Sequence, residues 1–230
     1  MKSSETGDQH LSCVYCGQPV STQDHVPPKC LFPEPRPSLI TVPACYSCNN
    51  GLSQDDEYFR TVLVSELRVS EHAEAQKLRP TIKRSLQRPK AQGFRISMLK
   101  ILKKIPLMTV GGLYYEEGIA MKVDGSRISR VLERVTKGLF YHHFNRPLPT
   151  DYSISVHSSD TMEKTPKAMN AVLRTINFIK GSPKYSIGDE VFSYSFAVCQ
   201  DEPNATFWVL GFFNTKPFWV FTMPQEKPSE

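Results

Sequence analysis

The chain has 230 residues, 40% of them hydrophobic and 10% aromatic, which supports a buried core and excludes a wholly disordered chain. Its net charge of +5 is unevenly spread: residues 151–230 carry seven Lys and Arg against nine Asp and Glu, so the first 150 residues hold a balance of +7. No apolar run approaches the ~18–20 residues that cross a bilayer, the opening MKSSETGDQHLSC lacks a secretory apolar stretch, and six cysteines are too few for a disulfide scaffold. The expectation is therefore a soluble, cytoplasmic protein with no membrane partner.

Residues 1–12 read as a polar leader. Residues 13–60 are rich in Cys, Pro and Asn and suit a small metal-held module. From Asp55 the pattern turns helical, with Tyr58, Val62, Leu63 and Leu67 on one face. Residues 61–106 read as a basic helical connection, interrupted at Pro80. Phe94 to Ile105 forms a second amphipathic helix ended by Pro106. Residues 107–230 read as an α+β domain of unknown role. Within it, 107–124 is strand-like with turns at Gly111–Gly112 and Glu117–Gly118. A helix starts at Ser126 or Ser129, and Tyr152–Val156 is a strand. Ala168–Ile179 is helix or strand. The antiparallel strands Val191–Cys199, Thr206–Phe213 and Phe218–Met223 are rich in aromatics. The fold class is α+β throughout.

Two CxxC pairs carry the clearest chemistry: Cys13-Val-Tyr-Cys16 and Cys45-Tyr-Ser-Cys48. Two residues between thiols let one tight turn aim both sulfurs at one ion, and two such knuckles complete the tetrahedral thiolate shell that Zn²⁺ prefers. A redox pair or plain buried cysteines are the rival readings. Redox chemistry needs one pair on a βαβ background, so two pairs in a short module favour structural zinc. Cys30 and Cys199 read as ordinary cysteines. The 28 residues between the pairs exceed a usual zinc ribbon, and they hold Asp24-His25-Val26-Pro27-Pro28; Asn49-Asn50 follows the second pair directly.

With CVYC, DHVPPK and CYSCNN in this order, the sequence resembles the HNH endonucleases, or ββα-metal nucleases. It is similar to a bacterial subgroup that also shares DDEYFR at 55–60 and GLFYHH at 138–143. The motif covers roughly residues 13–60. The resemblance implies an N-terminal zinc-knuckle ββα module that hydrolyses DNA phosphodiester bonds. It implies His25 as the general base, with Asp24 and Asn49 holding a catalytic Mg²⁺ or Mn²⁺. The setting it implies is bacterial or phage, in defence or mobile-element maintenance. The residue types suit those roles. An imidazole titrates near working pH, and carboxylate and amide oxygens are hard ligands for such ions. Neighbours in a strand point to opposite faces, so Asp24 and His25 need a twist or bulge to meet. Asp56 is a further candidate ligand, while Asp55 and Glu57 read as acids in a helix's first turn.

No Asp or Glu occurs between Glu74 and Glu116, a window holding ten Lys and Arg. Lys83, Arg84, Arg88, Lys90 and Arg95 are the expected phosphate contacts, with Lys29 beside the hairpin; RNA is the alternative polyanion. His142-His143 reads as a helix C-terminal feature, and the Trp208–Trp219 region as sheet core. A non-catalytic zinc module that binds nucleic acid or protein is the competing function. An always-active nuclease would harm its host, so a gating partner is expected. A homodimer would serve paired cuts, although no stretch of sequence signals one.

Overall fold

The computed structural model describes residues 12–158, 170, 173–174, 179–215 and 217–225. The expected leader and the Ala168–Ile179 segment fall almost wholly outside them.

The chain opens with a hairpin of β1 (Thr22–Val26) and β2 (Ile40–Ala44), followed by the short helix α1 (Tyr46–Asn50). Then come α2 (Ser53–Ser65), α3 (Leu67–Ser70), α4 (Ala73–Gln87) and α5 (Gln92–Lys100). A second hairpin follows, β3 (Leu102–Met108) with β4 (Tyr114–Met121), and then the long helix α6 (Gly125–Phe144). The chain ends in β5 (Tyr152–His157), β6 (Tyr185–Ile187), β7 (Phe192–Val198), β8 (Thr206–Phe212) and β9 (Pro217–Pro224), an antiparallel sheet ordered β5-β9-β8-β7-β6. The mixed α+β class with antiparallel sheets is as the sequence predicts. No helix among the described residues is long and apolar enough to cross a membrane.

Strand β8 is central, and its alternate residues Thr206, Trp208, Leu210 and Phe212 are all buried. Trp208 is core, as the period-two pattern predicts, and its Nε1–H donates to Thr206 Oγ1 at 2.6 Å. Helix α2 lays Phe59 edge-on against Phe212 of this sheet, ring centroids 5.1 Å apart. Helix α6 buries Val131, Leu132, Val135, Leu139 and Phe140 between the sheet and the first hairpin. The N-terminal segment, the helices and the sheet therefore share one hydrophobic core, rather than each burying its own.

Two helix expectations need correction. Helix α4 runs through Pro80 without a break. Its buried side chains Ala75, Leu78 and Ile82 straddle the proline, and their packing outweighs the lost backbone bond. The helix expected from Phe94 to Ile105 ends at Lys100, and Leu102–Met108 pairs instead with β4. Pro106 is accommodated there because the ribbon has only two strands and leaves an unpaired edge.

Candidate functional site

The first knuckle closes through Cys13 N–H donating to Gln18 O and Gly17 N–H donating to Cys13 O, both at 2.8 Å. Gly17 sits at φ +76, a left-handed conformation that glycine adopts without Cβ strain. In the second knuckle Cys45 is the N-cap of α1, and its sulfur accepts from Cys48 N–H at 3.4 Å. Val14 N–H donates to Pro43 O, which docks the first knuckle on β2 beside the second.

This folding brings all four sulfurs within 4.8 Å of one another. Four thiolates 2.3 Å from a tetrahedral Zn²⁺ lie about 3.8 Å apart, and Cys16 Sγ is 3.7 Å from Cys45 Sγ. Cys13, Cys16, Cys45 and Cys48 can thus hold one zinc ion with little movement. The Cys48 N–H bond, chiefly, draws the Cys45 thiol down to about 7, which favours the thiolate that zinc requires. Four sulfurs leave no open position, so the centre is structural in kind. Cys30 is not part of it; its thiol faces Asp56 O, and burial pushes it up to about 12.

The hairpin beside this centre separates Asp24 from His25. The β1–β2 register runs from Thr22↔Ala44 to Val26↔Ile40 without a bulge. Asp24, Val26, Val42 and Ala44 share the buried face, and Asp24 is only 5% exposed. His25, opposite the exposed Thr41, lies on the outer face. The twist or bulge that would unite the pair does not occur.

Asp24 is instead part of a buried polar cluster. Its Oδ1 accepts from His25 N–H at 2.8 Å, and its Oδ2 accepts from Tyr15 O–H at 2.9 Å. Arg134 of α6 stands 3.5 Å from Oδ2 through Nε, and donates to Asp56 Oδ1 at 2.5 Å through Nη2. Burial raises the Asp56 carboxyl, against the opposing pull of Arg134. Nη1 of Arg134 is buried without a partner. Next to this cluster, Asp55 accepts from Arg127 Nε at 2.6 Å and from Arg130 Nε at 2.7 Å. Although burial raises the Asp55 carboxyl, these two bonds outweigh it and the net shift is downward.

Asn49 is also largely occupied. Its Nδ2 donates to Gln23 O and Thr22 Oγ1, each at 3.1 Å, and so pins α1 to β1. Only Oδ1 remains for a cation. As these side chains stand, Asp24 and Asp56 are both engaged by Arg134, which disfavours a divalent cation shared with Asn49, whose Oδ1 is uncommitted.

His25 is differently placed. It is half-buried, and among the described residues neither ring nitrogen has a protein partner. Burial lowers its pKa first, then the nearby Lys29; Asp24 opposes them and Arg36 adds to them. Arg36 Nε donates to the Lys29 backbone carbonyl at 3.3 Å, and its guanidinium is ion-paired with Glu34. The outer face of the hairpin thus presents an imidazole with a lowered pKa, with Lys29 and the Glu34-paired Arg36 nearby.

No family model matches the chain, and neither a curated protein nor a solved structure does. The geometry therefore bears the functional argument alone. The expected phosphate contacts divide between two places. Arg88 and Lys90 line a cleft of about 530 Å³ with Arg127, while Lys83 and Arg95 line a different one beside the second hairpin. Arg84 is exposed and donates to Thr81 Oγ1. The arginines of α6 are absent from the sequence-based site. Their signal was available, since Arg127, Arg130 and Arg134 recur at helical spacing, complementary to Asp55 and Asp56.

His143 is not the charged C-terminal residue its position suggests. It sits among Tyr185, Tyr194, Phe196 and Trp208, its Nε2 lies 3.0 Å from Tyr194 Oη, and burial, with His142 nearby, lowers it to about 4.

Proposed function

We propose that this protein is an endonuclease that hydrolyses DNA phosphodiester bonds, with His25 as the general base. The observation that carries the reading is the outer face of the zinc-knuckle hairpin. There an imidazole with a lowered pKa, its ring nitrogens without a protein partner among the described residues, stands near Lys29. One ring nitrogen takes a proton from water as the oxygen attacks phosphorus, and the phosphorus–ester oxygen bond breaks. The departing oxygen is protonated from solvent. Lys29 opposes the charge that accumulates on the phosphate. Asp24 acts from behind the strand: by accepting His25 N–H it fixes the backbone that aims the ring. A zinc ion on the four cysteines holds the hairpin's geometry and takes no part in the proton transfer. Arg88 and Lys90 are the phosphate contacts that lie together.

The resemblance ties such chemistry to Mg²⁺ or Mn²⁺ at Asp24 and Asn49. Those residues do not fit the ion as they stand, because both Asp24 oxygens already accept hydrogen bonds. The misfit favours a second reading, a zinc-held module that binds nucleic acid without cutting it.

Plasmid cleavage separates the two. The purified protein is assayed with Mg²⁺, with Mn²⁺ and with EDTA, beside His25→Ala, with zinc content and DNA binding measured on both. The expected result is cutting that falls about 10²–10⁴-fold in the variant while zinc and binding persist. Unchanged cutting in the variant removes His25 from the mechanism. Binding without cutting by either protein leaves the non-catalytic reading.

A further inference from the structure

The hairpin of β3 and β4 is the least supported part of the molecule. Among the described residues its strands pair only with each other, and every residue of β3 is exposed. An isolated two-stranded ribbon is marginal in water. This one nevertheless carries apolar side chains to its tip: Leu107, Met108, Val110, Leu113 and Tyr114 are all exposed. Exposed apolar surface of this extent marks a docking site.

Beside the ribbon's stem runs a groove. Two clefts, of about 790 and 490 Å³, share Ser65, Leu67, Leu86, Arg95 and Ile119. The floor is apolar and open, with Leu67 78% and Ile119 73% exposed. Arg79, Lys83 and Arg95 line the larger cleft, and Glu66 lines the smaller one.

Arm and groove are complementary. The arm offers apolar side chains followed by Glu116, which has no ion pair among the described residues, and by Glu117, whose partner is Lys104; Lys103 lies nearer the stem. The groove offers an apolar floor with three cations. The turn cannot fill its own groove: Leu107 and Ile119 already line it, and Val110 lies three residues beyond Leu107, roughly 10 Å further out at about 3.3 Å per strand residue. A second copy of the chain supplies the same arm to the same groove. A nucleic acid is the poorer occupant, because the tip is apolar and its nearest charges are acidic.

We propose that two copies associate by exchanging arms, the β3–β4 tip of each seated in the groove beside the other's stem. One two-fold axis then satisfies both contacts at once. This association is independent of whether the protein cuts DNA.

The test is the solution mass of the full chain, by sedimentation or light scattering across a dilution series. The wild type is expected at twice the 26.1 kDa chain mass. An arm variant, Val110→Lys with Leu113→Lys, and a groove variant, Leu67→Lys, are each expected at the chain mass. These side chains are exposed, so circular dichroism should stay as in the wild type, and the variants should melt as the wild type does when diluted to its monomer. Mixing the two variants leaves one intact arm with one intact groove, and should restore part of the dimer. A wild type that remains monomeric, or a dimer that both variants leave unchanged, overturns the proposal. So does a monomer whose arm is protected from hydrogen exchange only on adding DNA, which would assign the arm to nucleic acid.

Discussion

His143 illustrates how burial sets a side chain's chemistry against its sequence position. A histidine in the last turn of a helix ordinarily gains from being charged there. Here an aromatic enclosure and His142 work the other way, and the folded ring stays neutral to about pH 4. The unfolded chain protonates this histidine near 6.5, so between those values the unfolded state binds more protons. The stability it contributes is complete above about 6.5 and is lost as pH falls toward about 4. Solvent reaching the ring tempers the size of the effect. His143→Phe should flatten this acid limb, read as the pH dependence of the urea midpoint between 4 and 6.5. An unchanged limb would place its origin in other groups. Arg134 follows the same logic with the opposite charge. It is tolerated inside because two carboxylates meet it, and those carboxylates are tolerated because of it.

Among the elements, α6 decides where the first hairpin sits. A Cβ added at Gly138 would lie 2.5 Å from Val26 Cγ2, so only glycine allows the helix this close to β1. Val26 follows His25 directly, and the same helix supplies Arg134 to Asp24. Gly138→Ala should therefore destabilise the protein by about 1–3 kcal/mol through overpacking. It should also weaken whatever chemistry His25 performs, because the strand must shift. Chemical unfolding of the variant checks the first part, and the His25-dependent cleavage rate the second. A neutral substitution would mean the hairpin moves away without strain.

For the whole molecule, the shared core joins the fate of the zinc centre to that of the sheet. Phe32 lies against the turn at Gly188, and Phe59 against Phe212, so the N-terminal segment is part of the interior and not an appendage. Metal that binds only the folded state adds to folding stability. Removing zinc with a chelator should therefore lower the melting temperature of the entire protein in one transition, with about one zinc released per chain. Two separate transitions would indicate that the knuckles unfold alone. Cys16→Ser should reproduce the loss without chelator.

The sequence by itself determined the parts whose signals are local. CxxC spacing fixes two knuckles, period-two aromatics fix β7 to β9, and the alternation of a strand warned that Asp24 and His25 face opposite ways. Local signals failed where a distant partner changed the balance. Leu102–Met108 became a strand because β4 pairs with it, and Pro80 stayed in a helix because its neighbours are buried. Only the tertiary structure decided which of the two hairpin residues is available. Asp24 was drawn inward by an arginine from α6, and Asp56 by the same arginine, 78 positions further along the chain. A buried carboxylate needs a countercharge, and no local pattern states which distant residue will supply it. The same structure left His25 on the outer face, its ring nitrogens without a protein partner among the described residues.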